Sequence, residues 1–342
     1  MKTHRFAIIG TGFWARFQLA GWLELPGVEC VALYNRTRSK AEALAAEFGI
    51  ANVYDDAGKM LDKESIDFVD IITGEGTHEA FTRMAAQRKI PVVCQKPFAP
   101  NLESARRMLA VCREAGVPLL INENFRWQSG MRALKEMIDS GIIGEPWRAR
   151  IVFNSSFPVF RNQPFLRELD RFLLMDVGVH LVDCARFLFG DIASLYCRTH
   201  KIHEDIKGED AVSLLMGMEN GMTVAVEISY ASRWSGDCFP ETLCFVEGRD
   251  ASAELLSGFR ARVTTKDGTQ ERVACPPSYP WADPEYAAVH ASIVDCQRNL
   301  LKGLAEDEFH AETRAEDNIK TFEAVWRAYD SARDNAVVSV GW

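Results

Sequence analysis

Five short apolar runs dominate the first 120 residues of this 342-residue chain, and four of them lead into stretches with helical spacing. "RFAIIG", "ECVALY", "FVDIIT", "PVVC" and "PLLINE" are β-branched and continuous, without polar alternation. Continuous apolar strands are expected where helices cover both faces of a sheet. Repeated strand–helix units bring right-handed crossovers and a doubly wound parallel sheet. The first domain is therefore expected to be α/β over residues 1–123. After "GEPWRARIVF" the pattern changes. A loop-like stretch over 155–172 precedes the helix "LLMDVGVHLVDCARFLFG", and strands separated by turn residues follow from about 192 to 275. Those signals predict a second, α+β domain over 124–342 with a largely antiparallel sheet. Its helical tail, 284–334, is expected to be able to pack back on the first domain.

The composition is 47% hydrophobic and 25% charged, with a formal net charge of −9. An acidic chain with no run of Lys/Arg is not expected to track nucleic acid. The longest apolar runs are too short for a membrane span. Nine cysteines with no C-x-x-C pair argue against a zinc site or a disulfide scaffold. With no secretory leader in view, the expectation is a cytoplasmic protein with no metal.

"GTGFWA" places Gly10 and Gly12, followed by Phe13 and Trp14, between the first strand and the first helix. This is the G-x-G-x-x-A form of the dinucleotide fingerprint in the context it requires. Gly10 permits the tight turn, and Gly12 admits a pyrophosphate to the helix N-terminus. The second strand ends in "YNRTRSK", so Asn35 occupies the tip where an NAD site often has a carboxylate. Arg36 and Arg38 could bind the 2′-phosphate of NADP, or stack on adenine or lie in solvent.

Ligands of doubly wound sheets bind beyond the carboxyl ends of the strands. Thr73, Glu75, His78, Gln95 and Lys96 all fall at such ends, so Lys96 is expected to face the nicotinamide end of a cofactor. In "MDVGVHLVD", Asp176, His180 and Asp183 are spaced i, i+4 and i+7 on one helix face. Asp176 could equally be the helix N-cap, and Gly178 could serve close packing alone.

In their order and spacing, "GTGFWA", "QKP" and "DVGVH", with "NFRWQ" and "IDSGIIGEPWRARI", resemble the Gfo/Idh/MocA oxidoreductases across essentially the whole chain. Gln95 departs from the glutamate usual in that family. The resemblance implies a Rossmann domain, NAD as cofactor with NADP as the alternative, and a small-molecule sugar substrate. "CQKP", "ENFRWQ" and "IKGEDAV" are similar to stretches in members that oxidise C1 of the branched pentose D-apiose to a lactone. On that reading His180 is the base, Lys96 stabilises the alkoxide and Asp176 orients the sugar. Asn124, Arg126 and Trp127 would lie beneath nicotinamide and sugar, and Asn154 and the loop 161–171 would close over the substrate. Trp127 could instead serve packing. The resemblance also implies a homodimer or homotetramer through the C-terminal sheet. Alternatives are a dehydrogenase of another sugar or an inositol-type polyol, and a non-catalytic nucleotide-binding regulator.

Overall fold

The computed structural model describes residues 3–306 and 310–341, so residues 307–309 of the expected helical tail lie outside the described residues. The chain divides into two compact units. The first comprises 1–123, 280–282 and 293–319; the second comprises 124–279, 283–292 and 320–342.

In the first unit, strands β1 (His4–Ile9), β2 (Val28–Tyr34), β3 (Asn52–Tyr54), β4 (Phe68–Ile71), β5 (Val92–Gln95) and β6 (Leu119–Asn122) alternate with helices. These are α1 (Phe13–Leu23), α2 (Arg38–Phe48), α3 (Ala57–Lys63), α4 (His78–Ala86) and α5 (Leu102–Ala115). The six-stranded sheet of described residues runs β3-β2-β1-β4-β5-β6 and every pairing is parallel. Strand order reverses between β1 and β4, the switch point beyond which doubly wound sheets bind ligands. β1 and β5 are almost wholly buried, as expected of strands sandwiched between helices.

One residue breaks the apolar pattern. Asp70, in the middle of β4 beside Ile8 and Val93, is fully buried. Trp22 Nε1 donates to its Oδ2 at 2.8 Å, while Oδ1 has no partner. With one hydrogen bond and no cation to offset burial, the carboxyl is pushed up to about 7.

The second unit begins with α6 (Ser129–Asp139), β7 (Pro146–Asn154) and α7 (Val179–Phe189). Strands β8 (Ile192–His200), β9 (Ala211–Met218), β10 (Thr223–Ser229), β11 (Leu243–Gly248), β12 (Ala251–Leu256), β13 (Arg260–Thr265) and β14 (Gly268–Val273) follow. Helices α8 (Ala287–Ala305) and α9 (Ala315–Asp334), each with residues in both units, precede β15 (Val338–Ser339). The sheet order is β14-β13-β12-β11-β7-β10-β9-β8-β15, antiparallel except for the parallel pair β7–β10. Alternating burial along β9 and β10 marks an inner face that includes Leu214, Met216, Val224 and Val226. Glycines set the distance of the covering helices. A Cβ at Gly130 would lie 2.7 Å from Leu255, and one at Gly178 would lie 3.3 Å from Ile228.

Asp70 makes stability of this protein pH-dependent with a definite sign. A carboxyl whose folded pKa lies above its unfolded value contributes stability below the unfolded value, and that contribution is lost as pH rises through 7. Asp70→Asn should therefore melt above wild type at pH 8, with the difference shrinking towards pH 5. Calorimetric scans at both pH values check this.

Candidate active site

The first helix begins without a side-chain cap. Gly12, the N-cap of α1, makes no such bond, and no acidic residue occupies the first turn. Gly10 has φ +103°, and a Cβ there would lie 2.4 Å from the carbonyl oxygen of Ile72, so only glycine fits. At Gly12 a Cβ would meet nothing within 4 Å, leaving the helix amides open to solvent. Uncapped amides at a positive helix end, with space in front of them, fit a pyrophosphate. Phe13 is exposed at the rim, its ring edge-on to Trp14 at 5.2 Å.

Asn35 is bound to this turn. Its Nδ2 donates to Thr11 Oγ1 at 2.5 Å, and its Oδ1 accepts from the Thr37 amide at 3.1 Å. Arg36 and Arg38 are both exposed, and Arg38 pairs with Glu42 one helical turn later at 2.8 Å. Thr73 and Glu75 are half-buried in the turn leading to α4, and Lys96 is half-buried at the tip of β5.

His78 does not offer its ring to a ligand. It is fully buried, with Nδ1 3.2 Å from the Phe98 carbonyl and Nε2 3.0 Å from the Thr73 carbonyl. Burial holds its pKa below the ordinary value, so the ring is neutral at pH 7 and donates to only one carbonyl. Its task is to tie the loop after β4 to the segment after Lys96. Gln95 is buried too; its Oε1 accepts from Gln18 Nε2 at 3.5 Å, and its own Nε2 has no partner.

In the second unit, the D-x-x-x-H stretch spans a break in helix type. Residues Leu174–Gly178 form a π-helical turn that runs into α7. Asp176 is therefore inside the turn, its amide donating to the Phe172 carbonyl at 2.8 Å, and is not the N-cap. Single π turns recur at functional sites. His180 is buried and lies parallel to the Phe125 ring at 4.0 Å and 3°. Buried Tyr230 belongs to the same neighbourhood. Burial pushes its phenol well above the usual range, and the charge of Asp176 adds to the shift. The sequence reasoning passed over Phe125 and Tyr230. Phe125 stood inside the "NFRWQ" stretch, and Tyr230 just past a strand end.

Three residues expected to touch ligand have protein partners. Arg126 is buried, with Nε and Nη2 donating to the two oxygens of fully buried Asp183 at 2.7 and 2.6 Å. Thr321 adds a bond to the same carboxylate at 3.2 Å. Asp183 is thus committed to a scaffold, although it shares the spacing of Asp176 and His180. Trp127 carries the Arg132 guanidinium over its ring at 3.3 Å. Asn124 donates to Ser292 Oγ at 2.7 Å. A half-buried Asn154 ends β7 beside a depression lined by Phe153, Trp234, Cys238 and Phe239, and Trp234 Nε1 donates to its carbonyl at 2.9 Å. In the loop 161–171, Arg167 pairs with Asp205, and Arg171 stacks on Trp326 at 4.5 Å.

No group of three or more His, Cys, Asp or Glu among the described residues could hold a metal ion, and no helix there is long and apolar enough to cross a membrane.

A family model described as an oxidoreductase family with an NAD-binding Rossmann fold matches residues 4–123. The GFO/IDH/MocA C-terminal domain matches residues 131–254. The chain is 39% identical over 340 residues to a D-apiose dehydrogenase of Paraburkholderia graminis, covering 99% of this chain and 90% of that one. It is 38% identical over 335 residues to a D-apiose dehydrogenase of Rhizobium rhizogenes, covering 98% and 97%. A solved oxidoreductase from Agrobacterium radiobacter, in complex with NAD+, L-tartaric acid and magnesium, superposes with a TM-score of 0.97 at 37% identity over 99% of both chains.

The Arg126–Asp183 pair separates a scaffold role from a substrate role. Arg126→Ala should cost about 3–5 kcal/mol of stability, because it leaves a buried carboxylate unpaired. Urea denaturation reads that loss. A rise in KM with stability unchanged would instead place Arg126 on the substrate.

Proposed function

Because the chain belongs to the Gfo/Idh/MocA oxidoreductase family, we propose that it oxidises C1 of cyclic D-apiose to the lactone with NAD. The observation that carries the substrate is the near-full-length similarity to two D-apiose dehydrogenases. NAD-dependent oxidoreductase chemistry follows from the family itself. Bound NAD supplies the hydride acceptor.

The chain's own residues do the rest. The open α1 terminus at Gly10–Gly12 holds the pyrophosphate, flanked by Phe13 and Trp14. Asn35 faces the adenosine ribose, and of the two exposed arginines there Arg38 is ion-paired with Glu42, which favours NAD over NADP. His180 accepts the C1 hydroxyl proton, imidazole being the side chain that exchanges protons near neutral pH. Stacking on Phe125 fixes the plane of that ring. Lys96 donates a hydrogen bond to the developing alkoxide. Asp176 accepts hydrogen bonds from the sugar hydroxyls. Loss of hydride from C1 and of the hydroxyl proton gives the lactone.

The second sheet supports assembly of identical copies. Leu215, Ala225, Arg150 and Phe245 lie in one registered row across β9, β10, β7 and β11, with Leu215 51% and Phe245 39% exposed. Trp147, 49% exposed, lies on the same strand as Arg150. The described cysteines are all free thiols, which suits a reducing cytoplasm.

Initial rates of nicotinamide reduction with D-apiose, run with NAD and NADP, test the substrate and cofactor. Glucose, ribose and myo-inositol serve as comparisons. D-apiose with NAD should be fastest; activity confined to another sugar would remove the apiose assignment. His180→Ala should lower kcat by about 10²-fold or more with NAD affinity unchanged. Separately, Leu215→Arg should shift the sedimenting species towards monomer.

A further inference from the structure

The helix that carries Asp176 and His180 starts with amides that no side chain of its own caps. Such amides need acceptors when buried. The acceptors come from "IKGEDAV". Glu209 Oε1 accepts from the Leu174 amide at 2.9 Å, Oε2 from the Phe172 amide at 3.3 Å, and the Glu209 carbonyl from the Leu173 amide at 3.2 Å. Glu209 is buried, and the Tyr329 hydroxyl donates to Oε1 at 2.7 Å. Gly208 makes the approach possible: a Cβ there would lie 2.7 Å from the Leu169 carbonyl oxygen and 2.9 Å from the Phe172 nitrogen. Asp210 secures the other side, accepting from the Ile202 and His203 amides at 2.7 and 3.0 Å.

We propose that Glu209 is a positioning residue for the chemistry: its carboxylate, held by Tyr329, grips the first amides of the π turn and so sets the placement of Asp176 and His180. The Phe172–Leu174 segment has three amides on this one residue, so its position is dictated by β9's leading edge. By holding the backbone six residues before His180, this side chain controls where the imidazole sits. Misplacement of a reacting group by about 1 Å costs on the order of 10²-fold in rate.

This inference rests on the reading of Asp176 and His180 as the reacting groups, and a double-mutant cycle separates the two. Glu209→Gln keeps the shape but loses one acceptor; Tyr329→Phe removes only the donor that holds it. With D-apiose and NAD, or whichever sugar of the panel is turned over, Glu209→Gln should lower kcat about 10- to 100-fold. KM and NAD affinity should change little, and Tyr329→Phe should produce a smaller loss of the same kind. Amide hydrogen exchange in a 172–180 peptide should accelerate, while peptides from 1–123 should not change. In a His180→Ala background, Glu209→Gln should cause almost no further loss, because its effect runs through His180. An equal fold-loss in both backgrounds would make Glu209 merely structural and overturn the proposal. Unchanged kcat in both single variants would also overturn it while leaving His180 as the base. Full activity of His180→Ala, or silence of the wild type with every sugar, would remove the reading beneath it.

Discussion

Backbone amides at a helix start must find acceptors, and this chain answers that constraint in two opposite ways. At α1 the N-cap residue is Gly12, which has no side chain to cap the turn, and a Cβ there would meet nothing within 4 Å. At the start of the α7 segment, a buried glutamate closes the terminus from another part of the unit. The first arrangement leaves a positive end for an anionic ligand. The second fills that place with the protein's own carboxylate. One terminus starts at a glycine and the other is capped by a glutamate, and the difference is which residue stands within reach of the amides.

Behind the tip of β5 lies a neutral network. Gln18 Oε1 accepts from Asn122 Nδ2 at 2.7 Å and Gln297 Nε2 at 2.8 Å, and Gln18 Nε2 reaches Gln95 Oε1 at 3.5 Å. Gln95 stands where the resemblance leads one to expect glutamate. The amide keeps the network uncharged but leaves Gln95 Nε2 buried without an acceptor. An orphaned donor costs about 1–3 kcal/mol, whereas an ionised carboxylate at this depth would need a cation or several donors. The substitution exchanges one kind of burial penalty for another without disturbing the strand.

Local pattern made the parallel sheet, the glycine turn and the mixed second domain legible, because each is written in neighbouring residues. Gly10 and Gly12 announce themselves by spacing, and continuous apolar strands by composition. What stayed hidden depends on partners distant in sequence. Arg126 looked like a ligand residue until Asp183, 57 positions away, took its guanidinium. Asp176 matched an N-cap by residue type, yet the true cap, Glu209, lies 35 positions beyond Leu174 and has no helical spacing to betray it. His78 fell at a strand end, where ligand contacts are expected, and only burial reveals that its ring faces two backbone carbonyls. Residue type showed only what each of these side chains is able to bond to. It could not predict which protein group would claim that chemistry first.

The lysine at the rim of the sheet acquires its meaning from such claims. A long flexible cation can stabilise a developing charge only if its root is held. Lys96 is bracketed on both sides. Gln95 pairs with Asn122 in the sheet and joins the amide network, while two residues after Lys96 the Phe98 carbonyl meets the His78 ring. The same ring meets Thr73 in the loop after β4, so two strand tips are coupled through one neutral imidazole. Protonating that ring would let it donate to both carbonyls, but at the cost of a buried charge, and burial decides for the neutral form. The polar residues on either side of Lys96 therefore anchor the backbone from which it projects.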